Sequence, residues 1–554
     1  MKLHIFAAVT AASMAVAPAQ GQNPASEPAP EYDIVIRGGR VLDGAGNPWV
    51  SADVAIKDGR IARIGKVVGK GKQEVDARGR YVTPGWIDVM DQSGRVLRTN
   101  GIAENKLRTG VTTLIAGEGG TPVPADEVAA YFKELETKGI TVNFGTYYSP
   151  TQARREVMGD AAGTPTPAQM TQIKAKVRTA MNAGTLGLAT ALIYPPGSFQ
   201  TTDELVEIVK TAAPCNAVYA THMRDESEGL LDGVKEAITI GERAGVKVEI
   251  FHLKAAWAPK FGQLMPQAVK LINDARARGV DVAADMYLYP FAGTGLEIIA
   301  PNWVYEKGFA EAVKLLNDPA QRAKMKRDIA AGPQPGWTNM VVSAGGWDKI
   351  VLGNAHNPRW DKYRFKSLAE IAKAEGNADP ADIAWDITLA ALPKRAVALY
   401  FMMDERDIET ALKQPWVSIG SDAGAAEVYG QIDGLGLPHP RAYGNAARII
   451  AEYVKRRPVL TLEDAVRKMT SWPAHRMGLT DRGVLREGLR ADVTIFDYDK
   501  LDDRAAFNQP TVSPVGIDDV IVNGQLVLAG GKVTGARPGS VLKGACAAPG
   551  AQLK

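Results

Sequence analysis

AVYATHMRDESEGLLDGVKEAITIGERAGVKVEIFHLK, residues 217–254, is the stretch whose reading decides the fold. Two apolar runs, 217–220 and 246–251, each lead into a histidine, His222 and His252. Between them Leu230, Val234, Ile238 and residues 240–244 recur at near-helical spacing, and Gly245 supplies the stop that a helix end favours. The stretch reads as strand–helix–strand with a histidine at the C-terminal end of each strand. In a parallel barrel such strands are neighbours, and their C-terminal ends open onto one face. Two imidazoles then converge on one point, which is the geometry a metal ion uses. The plain alternative is a pair of core histidines satisfied by neighbouring hydrogen bonds. The chain has only six histidines, and two matching placements in one unit favour the metal.

Outward from this unit, apolar strand candidates alternate with helical stretches. They fall at 86–90, 112–116, 141–147, 187–193, 218–222, 247–252, 280–286 and 416–421. Eight such units are the signature of a (β/α)8 barrel, here spanning 81–479. The stretch 298–360, rich in Trp, Pro, Gly and Asn, breaks the rhythm and reads as an insertion, a candidate lid. Residues 32–80 and 480–540 both show short alternating strands between Gly- and Asp-containing turns. They are expected to form one discontinuous β-sandwich domain beside the barrel. Residues 541–554 read as a tail. No internal repeats are evident.

The 554 residues carry 45% apolar and 23% charged side chains, ordinary for a globular protein with a large core. The formal net charge of +3 gives no argument for nucleic acid or a membrane surface. Lys2 precedes an apolar run at 5–16, and Ala17-Pro18-Ala19 fits a small-x-small cleavage site. Residues 1–19 read as a secretory signal, too short to span a bilayer, and 20–31 as a Pro/Ala-rich flexible leader. The expected location is periplasmic or extracellular. Cys215 and Cys546 are the only cysteines. Cys546 lies in a small-residue tail, so the reading disfavours a disulfide, and no CxxC motif exists.

At this point the residues carry a family. YDIVIRGGRVLDGAG, YVTPGWID, GVTTLIAGEGG, GLATALIYPPGSF, ATHMRDE, FHLK, DMYLYPFAGTGL, SIGSDAG, LPHPRAYG and GVLREGLRADVTIFD occur in order over 32–545. Each is weak alone. Together they resemble the amidohydrolase superfamily, and within it the N-acyl-D-amino-acid deacylase group. The resemblance implies a metal-bearing (β/α)8 barrel with a small β domain built from both chain ends. It implies that His222 and His252 are metal ligands on the fifth and sixth strands, and that Asp422 is the general base on the last. The group's second-strand cysteine is absent, with Gly119 at its place. Glu118, one residue earlier, is the ionisable group there, and a carboxylate is an acceptable zinc ligand. The bland reading of Glu118 is a surface or N-cap carboxylate on a Gly-rich loop.

The first strand departs most. The family's Asp-x-His-x-His is here Asp88-Val89-Met90-Asp91-Gln92. Thioether and carboxamide are weak donors to zinc, and Asp91 points to the opposite face of an extended strand. One Zn2+ per chain is therefore expected, on Glu118, His222 and His252. The activity implied is hydrolysis of a linear amide in a small molecule, with Asp422 moving the proton. Asp422 otherwise reads as a helix N-cap. Arg441, in the HPR segment, is implied as the grip on a substrate carboxylate. Tyr194, Tyr287, Tyr289 and Lys254 are further candidates for substrate contact, against packing or salt-bridge roles. The competing readings are a dipeptidase or a hydrolase of cyclic or xenobiotic amides, and a catalytically inactive binding barrel.

Overall fold

The computed structural model describes Met1 and residues 32–553. The expected signal segment and leader lie outside the described residues, Met1 apart. Eight parallel strands form the barrel: β1 (Trp86–Asp91), β2 (Val111–Ala116), β3 (Asn143–Thr146), β4 (Gly187–Ala191), β5 (Val218–His222), β6 (Lys247–Ile250), β7 (Val282–Met286) and β8 (Val417–Ile419). β1–β2–β3 pair side by side, and β4–β5–β6–β7–β8 do likewise. A parallel bridge between Tyr148 and Leu188 joins the two sets. On the far side Asp422 N donates to Met90 O at 2.8 Å, which closes β8 onto β1. β1, β2, β5 and β7 are buried along their whole length, as strands covered on both faces must be. The helix between β5 and β6, Leu230–Ala244, buries Leu230, Val234, Ala237, Ile238, Gly241 and Ala244 on one stripe. It stops at Gly245, whose φ of 71° is the left-handed cap that favours glycine.

Both chain ends build the second domain, a nine-stranded sheet. Val82 pairs with Ile495 and Val493 with Pro84, across more than four hundred residues of sequence. Ile34, Ile36, Val54, Ile56, Val493 and Ile521 pack inside it. The sequence reading ran 81–88 together as the start of the barrel. The structure divides it at Gly85: Tyr81–Pro84 belongs to the small sheet, and Trp86 begins β1. A Cβ at Gly85 would lie 2.2 Å from Thr112 Oγ1, so the switch passes where only glycine fits.

Two further expectations are corrected. The insertion between β7 and β8 is longer than 298–360. It contains an antiparallel sheet of Ala292–Gly295, Val397–Tyr400 and Ile350–Asn354, and its own apolar core. That core explains the Trp-rich composition. The tail is not loose, and the cysteines are bonded. Cys215 and Cys546 form a disulfide, and Cys546 is buried. Leu542 N donates to Phe144 O at 2.7 Å and Gly544 N to Gly184 O at 3.0 Å, so residues beyond 540 lie across β3 and the start of β4.

Candidate metal centre and active site

Glu118 follows Gly117 at the C-terminal end of β2. Gly117 has φ of +104°, and a Cβ there would lie 2.7 Å from Thr146 Oγ1 and from Tyr147 O, so the turn that delivers Glu118 requires glycine. Glu118 Oε1 lies 2.8 Å from His222 Nδ1 and 3.2 Å from His252 Nε2. The two rings meet edge to face with centroids 4.4 Å apart. The expected trio is thus assembled from β2, β5 and β6, with one donor atom from each within 4.8 Å of the others.

Behind the histidines stands Glu226, which the sequence reading left as a loop residue. Its Oε2 lies 3.3 Å from His222 Nε2, and its Oε1 3.0 Å from His252 Nδ1. Each imidazole therefore faces Glu118 with one nitrogen and Glu226 with the other. A carboxylate behind a ligating histidine fixes its tautomer and raises its basicity, so the donor set fits a divalent metal. Lys254 Nζ caps the group, 2.7 Å from Glu226 and 2.7 Å from His252 Nδ1. Burial and Lys254 push the His252 imidazole down, but Glu226 and Glu118 outweigh them and raise its pKa to about 9. Burial alone would raise the Glu118 carboxyl; the hydrogen bonds from His222 and His252 hold it well below its usual range. The pair of carboxylates is built to hold positive charge between them. His252 itself sits at φ of 36°, with its N–H donating to the buried Asp285 Oδ1 at 2.9 Å. Strain of this kind persists only where surrounding structure enforces it.

Asp422, also at positive φ (48°), enters from the end of β8. Its Oδ2 is 2.8 Å from Arg441 Nη1, and its Oδ1 accepts from Gln92 Nε2 at 3.4 Å. The same Gln92 nitrogen donates to Glu118 Oε2 at 2.7 Å. The opposite amide orientation would set an oxygen against two carboxylates, so the donor assignment is secure. Gln92 therefore belongs to the site as a neutral donor. Met90 is buried beneath it, and Asp91 turns away to Lys106 at 2.8 Å.

These groups line a cavity of about 590 Å³ at the barrel mouth. Tyr194, Tyr287, Lys254 and Arg441 reach it. Tyr194 bonds to Thr294 Oγ1 at 2.7 Å, and Arg441 stacks over Tyr287 at 4.6 Å. Arg441 Nε has no protein hydrogen-bond partner among the described residues. Tyr289 is a correction. β7 ends at Met286, so Tyr287 and Tyr289 do not alternate on one strand face. Tyr289 turns away and donates to Asp503 Oδ2 at 2.8 Å. His439 buries its ring on Phe291 O and accepts from Arg441 N, which anchors the segment carrying Arg441. One signal for Glu226 was present in the sequence: it stands four residues past His222.

Known proteins share this arrangement at the level of whole chains. An N-acyl-D-glutamate deacylase of Alcaligenes xylosoxydans xylosoxydans is 31% identical over 534 residues, covering 93% of this chain and 97% of the relative. The crystal structure of N-acyl-D-glutamate deacylase from Bordetella bronchiseptica was solved with zinc and a phosphonate inhibitor that mimics the tetrahedral intermediate. It superposes with a TM-score of 0.77 at 28% identity, covering 93% of this chain and 100% of that one. A structure of D-aminoacylase addressing its binuclear metal centre, with one-metal activation and second-metal attenuation, gives 0.77 at 27% identity, covering 92% and 100%. Residues 73–528 match the amidohydrolase family, and with the barrel, the β domain and the site described above the chain belongs to that family.

Proposed function

We propose that this protein is an N-acyl-D-amino-acid deacylase that works with one zinc ion held by Glu118, His222 and His252. The observation that carries this is the shared Glu118 oxygen, 2.8 and 3.2 Å from the two histidines. A divalent metal there supplies Lewis acidity, polarising a carbonyl and easing deprotonation of water near neutral pH. Three protein ligands and an open position are the catalytic pattern. Asp422 Oδ1 takes the proton of the attacking water and returns it to the departing amine nitrogen. Arg441 keeps Asp422 ionised and aimed through Oδ2. Its partnerless Nε, with Lys254 and Tyr287, is placed for the substrate carboxylate. Glu226 orients both imidazoles. A single metal is favoured because the Gln92 amide stands between Glu118 and Asp422, where a second cation would have to lie. A periplasmic or extracellular location is supported by the Cys215–Cys546 disulfide, a bond that persists in oxidising compartments.

The test is amine release from N-acetyl-D-amino acids, their L enantiomers, dipeptides and cyclic amides, using protein loaded with zinc. Turnover confined to the D-acyl series is the expected result. Preference for dipeptides or cyclic amides overturns the substrate assignment. Absence of turnover with zinc bound overturns the enzyme reading.

A further inference from the structure

Four cationic side chains line the cavity: Arg155, Lys254, Arg395 and Arg441. Each already faces a carboxylate. Lys254 meets Glu226 at 2.7 Å and Arg441 meets Asp422 at 2.8 Å, both on the floor beside the histidines. The other two stand on the outer walls. Arg155 Nε lies 2.6 Å from Asp160. Arg395 Nε donates to Glu297 Oε1 at 2.7 Å, and its Nη2 donates to Thr294 Oγ1 at 3.1 Å. Around the Arg395–Glu297 pair the wall is apolar, formed by Ile193, Ile298, Met340, Val397, Met402 and Leu437. The floor thus offers donors to one carboxylate, and the outer walls offer no unpaired cation to a second.

From this we infer that the site selects N-acyl-D-amino acids with neutral, apolar side chains and disfavours D-glutamate and D-aspartate, with Glu297 as the specificity-determining residue. The inference rests on the deacylase reading. It departs from the name of the N-acyl-D-glutamate deacylase that is 31% identical to this chain. An acidic side chain reaching the insertion wall would compete with Glu297 for the Arg395 guanidinium, leaving two carboxylates side by side. Like charges placed in a partly dehydrated cavity repel with little screening. An apolar side chain instead covers Ile298, Val397 and Met402 and leaves the ion pair intact.

The experiment compares kcat/KM for N-acetyl-D-leucine, N-acetyl-D-methionine, N-acetyl-D-glutamate and N-acetyl-D-aspartate on the zinc-loaded protein and on Glu297→Gln. The expected wild-type preference for leucine and methionine is at least about ten-fold, the low end of what an apolar pocket discriminates. Glu297→Gln keeps the side-chain shape and releases Arg395, so the leucine-to-glutamate ratio should fall, through a lower KM for the glutamate substrate. Near-UV circular dichroism checks that the variant retains its fold. If it does not, Arg395→Met is the second test, and it should widen the wild-type ratio. A wild-type preference for glutamate or aspartate overturns the inference and leaves the deacylase reading standing. An unchanged ratio in the folded variant overturns the role of Glu297. Absence of turnover on all four substrates removes the deacylase reading and this inference with it.

Discussion

Glu226→Gln isolates the charge behind the two histidines. In the wild type the carboxylate accepts from His252 Nδ1 at 3.0 Å and faces His222 Nε2 at 3.3 Å. It also neutralises Lys254 Nζ at 2.7 Å. A carboxamide keeps the volume and removes the charge. Losing a carboxylate behind ligating histidines typically weakens metal affinity about 10- to 100-fold. Here one group serves both imidazoles, so the upper end applies: about 100-fold, or ~2.7 kcal/mol. The variant also leaves Lys254, buried and 2.7 Å from His252 Nδ1, without its counter-charge. That exposed cation opposes a dication on the other side of the ring. Adding Lys254→Met to Glu226→Gln should therefore recover about ten-fold of the lost zinc affinity, a coupling of ~1.4 kcal/mol. Zinc dissociation constants from chelator competition on wild type, both single variants and the double variant close the cycle. Affinity within two-fold of wild type in Glu226→Gln refutes the role given to Glu226. Strict additivity in the double variant refutes the coupling to Lys254.

Asp422→Asn should lower kcat by about 10³-fold while elemental analysis finds the metal content of wild type; an unchanged rate would remove Asp422 as the proton carrier. Metal analysis of the wild type should give about one zinc per chain, and His222→Ala should lose it. Gln92→His replaces the amide between Glu118 and Asp422 with a ligand, so uptake should rise toward two metals per chain; a ratio that stays at one would show that more than Gln92 excludes the second ion. Cys546→Ala unties the tail from β5 and should cost about 2–4 kcal/mol, read as a lower Tm than wild type under non-reducing conditions. Equal Tm values would show that the backbone hydrogen bonds of residues 540–544 hold the tail alone.

All eight barrel strands were legible, because strands covered on both faces are continuous apolar runs whatever their neighbours are. Their ends were less so. The division at Gly85 is invisible locally: 81–84 and 86–91 are equally buried, and what separates them is pairing of Val82 with Ile495. The disulfide was hidden for a related reason. Nothing in a tail of Ala, Gly and Pro reports that residues 540–544 run along β3 and bring Cys546 to Cys215. Tyr289 was misplaced because alternation was carried past Met286, where β7 ends.

The site shows the same division between local and long-range information. Glu118, His222, His252 and Asp422 were readable because each follows its own strand, and barrel topology alone brings strand ends together. Gln92 and Glu226 act through other side chains, so their roles exist only after closure. Gln92 is the more instructive of the two. Judged as a ligand it is poor, and by that measure the loss of two histidines from β1 suggests a damaged site. Judged as a donor it is well placed. Its amide hydrogens lie between Glu118 Oε2 and Asp422 Oδ1, at 2.7 and 3.4 Å. It lessens the repulsion between those carboxylates without adding a charge, and leaves Glu118 Oε1 to the histidines. Arg441 restrains the other oxygen of Asp422 in the same way. A barrel that had abandoned catalysis would have no use for a neutral spacer between a metal ligand and a base, or for two strained backbone positions, His252 and Asp422, that aim them.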